Sequence, residues 1–272
     1  LFDSANGANT FVSQRLMSHY VKDYKQIGNT PDGKNINLNC GSTHLDYLIN
    51  QINESYDVGF SFDGDGDRVL MVDHEGTIYD GDMIIYLIAR YLKAQNKLNH
   101  DTVVLTKMSN PGIIKALNDE GITVVKTDVG DKYVQAEMKS KGYVLGGENS
   151  GHIIYSDFLE TGDGLLVALL LLTVLESEDK TLKELTHHVS MYPQKMVNIK
   201  NIDKAVLNNK KVTDLIDKVK TLFKADYLVL VRPSGTEPLV RVTLSHKDEA
   251  LLDECMDKLV TTIKALGSEL NE

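Results

Sequence analysis

TVVLTKMSNPGIIKALNDEGITVVKTDVGDKYVQAEMKSKGYVL, residues 102–145, decides the fold class. A β-branched run at 102–106 predicts a strand. Pro111 then opens a helical pattern that runs to Glu120 and stops at Gly121. A second strand is expected over 122–126, a second helix over 131–141 ending at Gly142, and a third strand over 143–145. Proline in the first turn and glycine just past the last one is the asymmetry expected of helix ends. Strands alternating with helices of this length predict α/β layers with largely parallel strands.

Working outward toward the start, Asp80 or Asp82 can cap a helix carrying Met83, Ile84, Leu87, Ile88 and Tyr91, a cap that would also suit a domain boundary. VLMVD at 69–73 reads as a strand. In DVGFSF at 57–62, Val58, Phe60 and Phe62 alternate with Gly59 and Ser61, which predicts a strand with one face in the core. Val12, Leu16 and Tyr20, at fourfold spacing, predict a helix that buries that face. In the other direction, the run from Leu165 to Leu175 is apolar on all sides and predicts a helix buried between layers. Thr181 with Glu184 forms a capping box for a further helix.

After Tyr192 and Pro193 the style changes. Strands are expected at 195–202, 227–232 and 239–245, with a helix at 210–223 and a closing helix striped by Leu252, Cys255, Leu259 and Leu266. The fold class expected for the whole is therefore α/β: two α/β/α layered domains with mixed, largely parallel sheets, plus a C-terminal α+β domain with a mainly antiparallel sheet.

The 272 residues are enough for two or three domains, and 42% hydrophobic with 25% charged residues is ordinary for a globular protein. A net charge of −10 has the wrong sign for a protein that covers phosphate backbones, so no nucleic-acid partner is expected. The longest apolar run falls short of the roughly 20 residues that span a bilayer, so no membrane segment is expected. Cys40 and Cys255 match no metal or disulfide spacing, which favours a reducing compartment, the cytoplasm. The chain opens at Leu1 on LFDSANGANT, without a methionine or a signal peptide, and reads as part of a longer polypeptide.

Three loops carry chemistry. In FDGDGDR, residues 62–68, Asp63, Asp65 and Asp67 stand at i, i+2 and i+4, and the intervening glycines let the backbone fold tightly enough for the carboxylates to converge. Carboxylates this close need a cation. Hard oxygen ligands select Mg²⁺ or Ca²⁺, and Arg68 and His74 occupy the places where an EF-hand needs its glycine and its glutamate, so Mg²⁺ is preferred. Arg68 could grip a phosphate at the same place; a solvated acidic turn is the plainer alternative. In GGENSGH, residues 146–152, Glu148, Asn149, Ser150 and His152 offer donors and acceptors suited to sugar hydroxyls, although a structural Gly-rich turn has the same look. In RPSGTEPLVR, residues 232–241, Arg232, Ser234, Thr236 and Arg241 surround Gly235, where an anion-binding nest or an ordinary hairpin turn would both fit. Asp131 and Lys132 in VGDKYV, residues 129–134, are further substrate-binding candidates; on the residues alone a helix cap followed by a solvated lysine is favoured there.

These three loops, in this order, resemble the signature of the phosphohexomutase superfamily. NCGSTH at 39–44, VGDKYV and the wording RPSGTEP resemble most the branch acting on glucosamine phosphates. The resemblance covers essentially the whole chain. It implies that residues 1–78, 79–190 and 191–272 correspond to the second, third and fourth domains of that family, and that the first domain, with its phosphoserine, belongs to the same polypeptide outside this sequence. No Ser-His-Asn motif occurs here to replace it.

By resemblance, Asp63, Asp65 and Asp67 bind Mg²⁺, with Arg68 beside them as a catalytic residue. Glu148, Asn149 and Ser150 hold the sugar, His152, the second catalytic residue, lies near its reacting end, and Arg232, Ser234, Gly235, Thr236 and Arg241 hold the phosphate that is not reacting. The implied activity is interconversion of glucosamine 6-phosphate and glucosamine 1-phosphate through a phosphoserine enzyme and a bisphosphate intermediate, for UDP-N-acetylglucosamine and peptidoglycan precursor synthesis, a homodimer being one form the full-length enzyme could take. A glucose or mannose phosphate mutase and a non-catalytic phosphosugar-binding module are the alternatives.

Overall fold

The computed structural model describes residues 1–234 and 238–269. The chain divides into two compact units, residues 1–109 with 117–188, and residues 110–116 with 189 onward. The first unit opens with β1 (Phe2–Asp3), α1 (Asn9–Tyr20), β2 (Gln26–Ile27), α2 (Asp46–Ile49), β3 (Gly59–Phe62), β4 (Val69–Val72) and β5 (Ile78–Tyr79). They build a sheet ordered β2-β1-β3-β4-β5, parallel from β2 to β3 and antiparallel from β3 to β5.

Next come α3 (Gly81–Ala94), β6 (Thr102–Thr106), α4 (Pro111–Asp119), β7 (Thr123–Thr127), α5 (Asp131–Lys141), β8 (Leu145–Gly147), β9 (Ile153–Tyr155), α6 (Gly164–Glu178) and α7 (Leu182–Thr186). The second sheet runs β7-β6-β8-β9, parallel except for the β8–β9 pair, as the alternation at 102–145 predicts.

The end signals operate as expected. Asp80 caps α3, its Oδ1 accepting from the Met83 N–H at 3.1 Å. Gly142 ends α5 in the left-handed conformation at φ 72°, and Thr181 and Glu184 satisfy each other's backbone donors at the start of α7. Helices α3 and α6 each touch both sheets, α3 against β4 and β8 and α6 against β3, β4 and β9, so two helices form the layer between them.

Three expectations need correction. Helix α1 buries Thr10, Ser13 and Met17 rather than Val12, Leu16 and Tyr20. Val12 is 52% and Tyr20 71% exposed. Polar side chains face inward because the Gln26 amide donates to the Ser13 hydroxyl at 2.9 Å and to the Thr10 carbonyl at 2.7 Å. Strand β3 is buried on both faces, not one, because Leu48 and Ile52 from α2 and the turn after it pack against Gly59 on one side and α6 packs against Phe62 on the other. Helix α6 buries Leu165, Val167, Ala168, Leu171 and Val174, but Leu166, Leu169, Leu170, Leu172 and Leu175 remain half-buried, so its other side is not enclosed.

The second unit contains β10 (Gln194–Lys200), a short 3₁₀ turn (Lys204–Asn208), α8 (Lys210–Phe223), β11 (Leu228–Pro233), β12 (Leu239–Ser245) and α9 (Glu249–Glu269). Its sheet, β10-β12-β11, is antiparallel throughout, as expected. Val240, Val242 and Leu244 on β12 join the stripe Leu252, Cys255, Leu259, Ile263 and Leu266 on α9 in one core. Each fully buried aliphatic side chain of this kind contributes roughly 1.5–3 kcal/mol. Among the described residues, no helix is long and apolar enough to cross a membrane.

Candidate functional site

The loop between β3 and β4 carries the three aspartates. Gly66 turns it at φ 84°, where the Asn9 side chain fills the space a Cβ would need. Asp63, Asp65 and Asp67 each present an oxygen, all within 4.8 Å of one another. Asp63 is buried, its Oδ1 accepting from the N–H groups of Gly66 (3.2 Å) and Arg68 (3.1 Å). The Arg68 Nε lies 2.8 Å from Asp63 Oδ2 and 3.4 Å from Asp67 Oδ1. Burial pushes the Asp63 carboxyl up to about 6; the neighbouring Asp65 and Asp67 push the same way, and the Arg68 N–H and guanidinium oppose them. An all-oxygen donor set with repelling carboxylates fits a small hard cation.

The loop between β8 and β9 is fastened to this one. Val69 N–H donates to the Gly151 carbonyl at 3.1 Å, Gly81 N–H to the Asn149 carbonyl at 3.0 Å, and Arg68 and His152 form an antiparallel bridge. His152 is 7% exposed, and its Nδ1 lies 2.9 Å from Asp67 Oδ2. Gly162 backs the ring so closely that a Cβ there would stand 2.5 Å from its Cε1. Within the sugar-loop motif, Glu148 and Asn149 are half-buried and Ser150 is exposed.

Glu148 reaches in the other direction, its Oε1 accepting from the Gly130 N–H at 2.9 Å. That bond ties the loop to the start of α5. The cap there is Gly130 and makes no side-chain bond, so Asp131 is not the cap but lies in the first turn. Asp131 and Lys132 are exposed, the Lys132 ammonium sitting 4.8 Å from the Tyr133 ring centroid.

In the second unit, Arg232 and Arg241 are direct partners across β11 and β12. Like charges so placed repel one another. Arg241 Nε donates to Asn198 Oδ1 at 2.8 Å, whereas the Arg232 Nε is buried with no acceptor among the described residues. An anion is the group such an orphaned donor fits. Ser234 is buried, with its N–H on the Leu239 carbonyl at 2.9 Å. Gly235 and Thr236 lie outside the described residues.

Sequence reasoning missed several contributors. Lys204 Nζ donates to the Ser234 carbonyl at 2.6 Å, and Asn198 holds Arg241; neither stands in a motif, since strand register places Asn198 and the 3₁₀ turn places Lys204. Asp3 is fully buried, accepting from the Ala5 N–H (3.0 Å), the Gly41 N–H (2.6 Å) and the Ser61 hydroxyl (3.4 Å). The next residue, Ser42, donates its N–H to the Phe62 carbonyl at 2.8 Å, immediately before Asp63. An acidic residue directly after the apolar pair Leu1 and Phe2 is the signal that could have found it.

Comparison with known proteins gives a consistent family. Residues 80–192 match the model of phosphoglucomutase/phosphomannomutase, alpha/beta/alpha domain III, and residues 175–262 match the C-terminal domain of phosphoglucomutase/phosphomannomutase. The chain is 45% identical over 270 residues to a phosphoglucosamine mutase of Bacillus velezensis, covering 98% of this chain and 60% of the relative. It is 46% identical over 265 residues to one of Limosilactobacillus reuteri, covering 97% of this chain and 59% of the relative. The chain thus spans about 60% of the length of the curated relatives it matches.

Among solved structures, the fold resembles an Aspergillus fumigatus N-acetylphosphoglucosamine mutase in complex with GlcNAc-6P and magnesium (TM-score 0.79, 20% identity, 96% of this chain and 65% of that one). It also resembles a Burkholderia thailandensis phosphoglucomutase/phosphomannomutase family protein (TM-score 0.79, 22% identity, 97% and 60%).

Proposed function

Because this chain belongs to the phosphoglucomutase/phosphomannomutase family, we propose that it is the metal-, sugar- and phosphate-binding part of a phosphoglucosamine mutase. The reaction would interconvert glucosamine 6-phosphate and glucosamine 1-phosphate in the cytoplasm and feed peptidoglycan precursors. The observation that carries this reading is the acidic loop 63–67, its three ligand oxygens within 4.8 Å, fastened through Asp67 and His152 to the loop GGENSGH.

In this reading Asp63, Asp65 and Asp67 hold Mg²⁺, which when bound would offset charge developing on a transferring phosphoryl group. Arg68 stands ready to grip the phosphoryl oxygens, Glu148, Asn149 and Ser150 orient the sugar, and Asp131 and Lys132 lie at its rim. Arg232, Ser234, Gly235, Thr236 and Arg241 anchor the distal phosphate, and the orphaned Nε of Arg232 supports that assignment. An anchor separate from the reacting centre is needed if either end of a sugar bisphosphate is to be held while the other reacts. The phosphoserine nucleophile would come from a domain outside these residues, and the segments 1–78, 79–190 and 191–272 would be the family's second to fourth domains.

Turnover of glucosamine 6-phosphate tests this, measured with the chain alone and with the chain joined to a phosphoserine domain of the family. Activity only in the joined protein is expected. Inactivity of both would favour a binding module, and a tenfold preference for glucose or mannose phosphate, about 1.4 kcal/mol in the transition state, would reassign the substrate.

A further inference from the structure

We propose that His152 is a positioning residue that fixes the carboxylate plane of Asp67 for metal binding, an inference that rests on the metal reading of residues 63–67. Asp67 is the half-exposed member of the triad, and a carboxylate so placed on a loop has rotamers to choose from. Two donors meet its two oxygens, Arg68 Nε at 3.4 Å on Oδ1 and His152 Nδ1 at 2.9 Å on Oδ2. An ionised carboxylate only accepts, so the imidazole hydrogen that matters is on Nδ1.

The ring is itself fixed. It is buried, Gly162 packs against its Cε1 edge, and the backbone at 151–152 is bonded to that at 68–69. A rigid donor reaching from the β8–β9 loop therefore orients a ligand on the β3–β4 loop. Hydrogen bonds to ligating carboxylates are the contacts that hold a metal site in its geometry.

The test is Mn²⁺ affinity, read by electron paramagnetic resonance of the free ion, on the 272-residue chain. The amide nitrogen of His152→Asn overlies Nδ1, whereas that of His152→Gln overlies the far ring nitrogen. Losing a contact of this kind typically weakens metal binding 10–100-fold, so His152→Gln should bind at least about tenfold more weakly while His152→Asn stays within about threefold. Should His152→Gln fail to fold, His152→Ala takes its place as the variant without a donor.

Equal losses in the donor-keeping and donor-lacking variants would mean that the ring only fills space, and would overturn the proposal. So would affinities unchanged in every variant. A wild-type chain that takes up no Mn²⁺, or an Asp65→Ala variant that binds it as well as the wild type, would instead bring down the metal reading and the proposal with it.

Discussion

A buried carboxylate has to be met by donors, and Asp3 is met by the Ala5 and Gly41 amides and the Ser61 hydroxyl. Its two oxygens thereby fasten the turn after β1 to the loop whose Ser42 bonds the residue preceding Asp63. Asp3→Ala leaves two buried N–H groups unpaired, at about 1–3 kcal/mol each, so a loss of about 2–6 kcal/mol is expected in chemical denaturation. Burial also raises the Asp3 carboxyl above its ordinary value of 3.8. Between 3.8 and the raised value the folded chain holds a proton that the unfolded chain has released. The contribution of this group to stability therefore rises as the pH falls through that window. Asp3→Asn lacks the gain, so the stability of the wild type relative to this variant should increase on acidification, as denaturation midpoints at a series of pH values would show.

At the scale of elements, α3 and α1 make an instructive pair. In α3 the cap at Asp80 and a nearly continuous apolar sequence point the same way, and the helix lies where both signals put it. In α1 the apolar residues at fourfold spacing face outward, because Gln26 gathers Thr10 and Ser13 from the other side. A hydrogen-bond network among polar side chains leaves no trace in hydropathy, which is why that face was not legible. Met17→Ala, which empties a fully buried site, should cost about 2–4 kcal/mol, whereas Val12→Ser should stay within about 0.5 kcal/mol. Thermal or denaturant unfolding of the two variants would decide it; a larger loss from Val12→Ser would restore the face predicted by periodicity. The acidic loop was legible for a related reason: its three carboxylates are neighbours along the chain, so the convergence is local. The Asp67–His152 contact joins loops on different sheets, and no local spacing encodes it.

At the scale of the molecule, the chain divides into two compact units. The second has one core built by β10–β12, α8 and α9. Leu259 is fully buried in it, and Leu259→Ala should cost about 2–5 kcal/mol there. Hydrogen exchange should show faster exchange through residues 189–269 and unchanged protection in β3 and β6. Equal acceleration everywhere would mean that the units unfold as one. The architecture of these layers could be read from the sequence because strand and helix periods alternate cleanly over 102–145. The membership of 110–116 in the second unit could not, since Pro111 opens a helix in either setting.

That short segment has a consequence for the gene. Asn110 accepts from the Tyr192 N–H at 3.0 Å and donates to the Tyr192 carbonyl at 2.9 Å, and Gly112 lies so close under Ser190 that a Cβ would stand 1.9 Å from its carbonyl oxygen. The C-terminal unit is therefore not a cassette that one crossover can move. Recombination at the junction after His188 would carry its sheet into a new chain and leave Asn110 and Gly112 behind. Exchange between homologues that preserves this fit has to take both stretches together, or accept a relative in which the residues opposite Ser190 and Tyr192 already match.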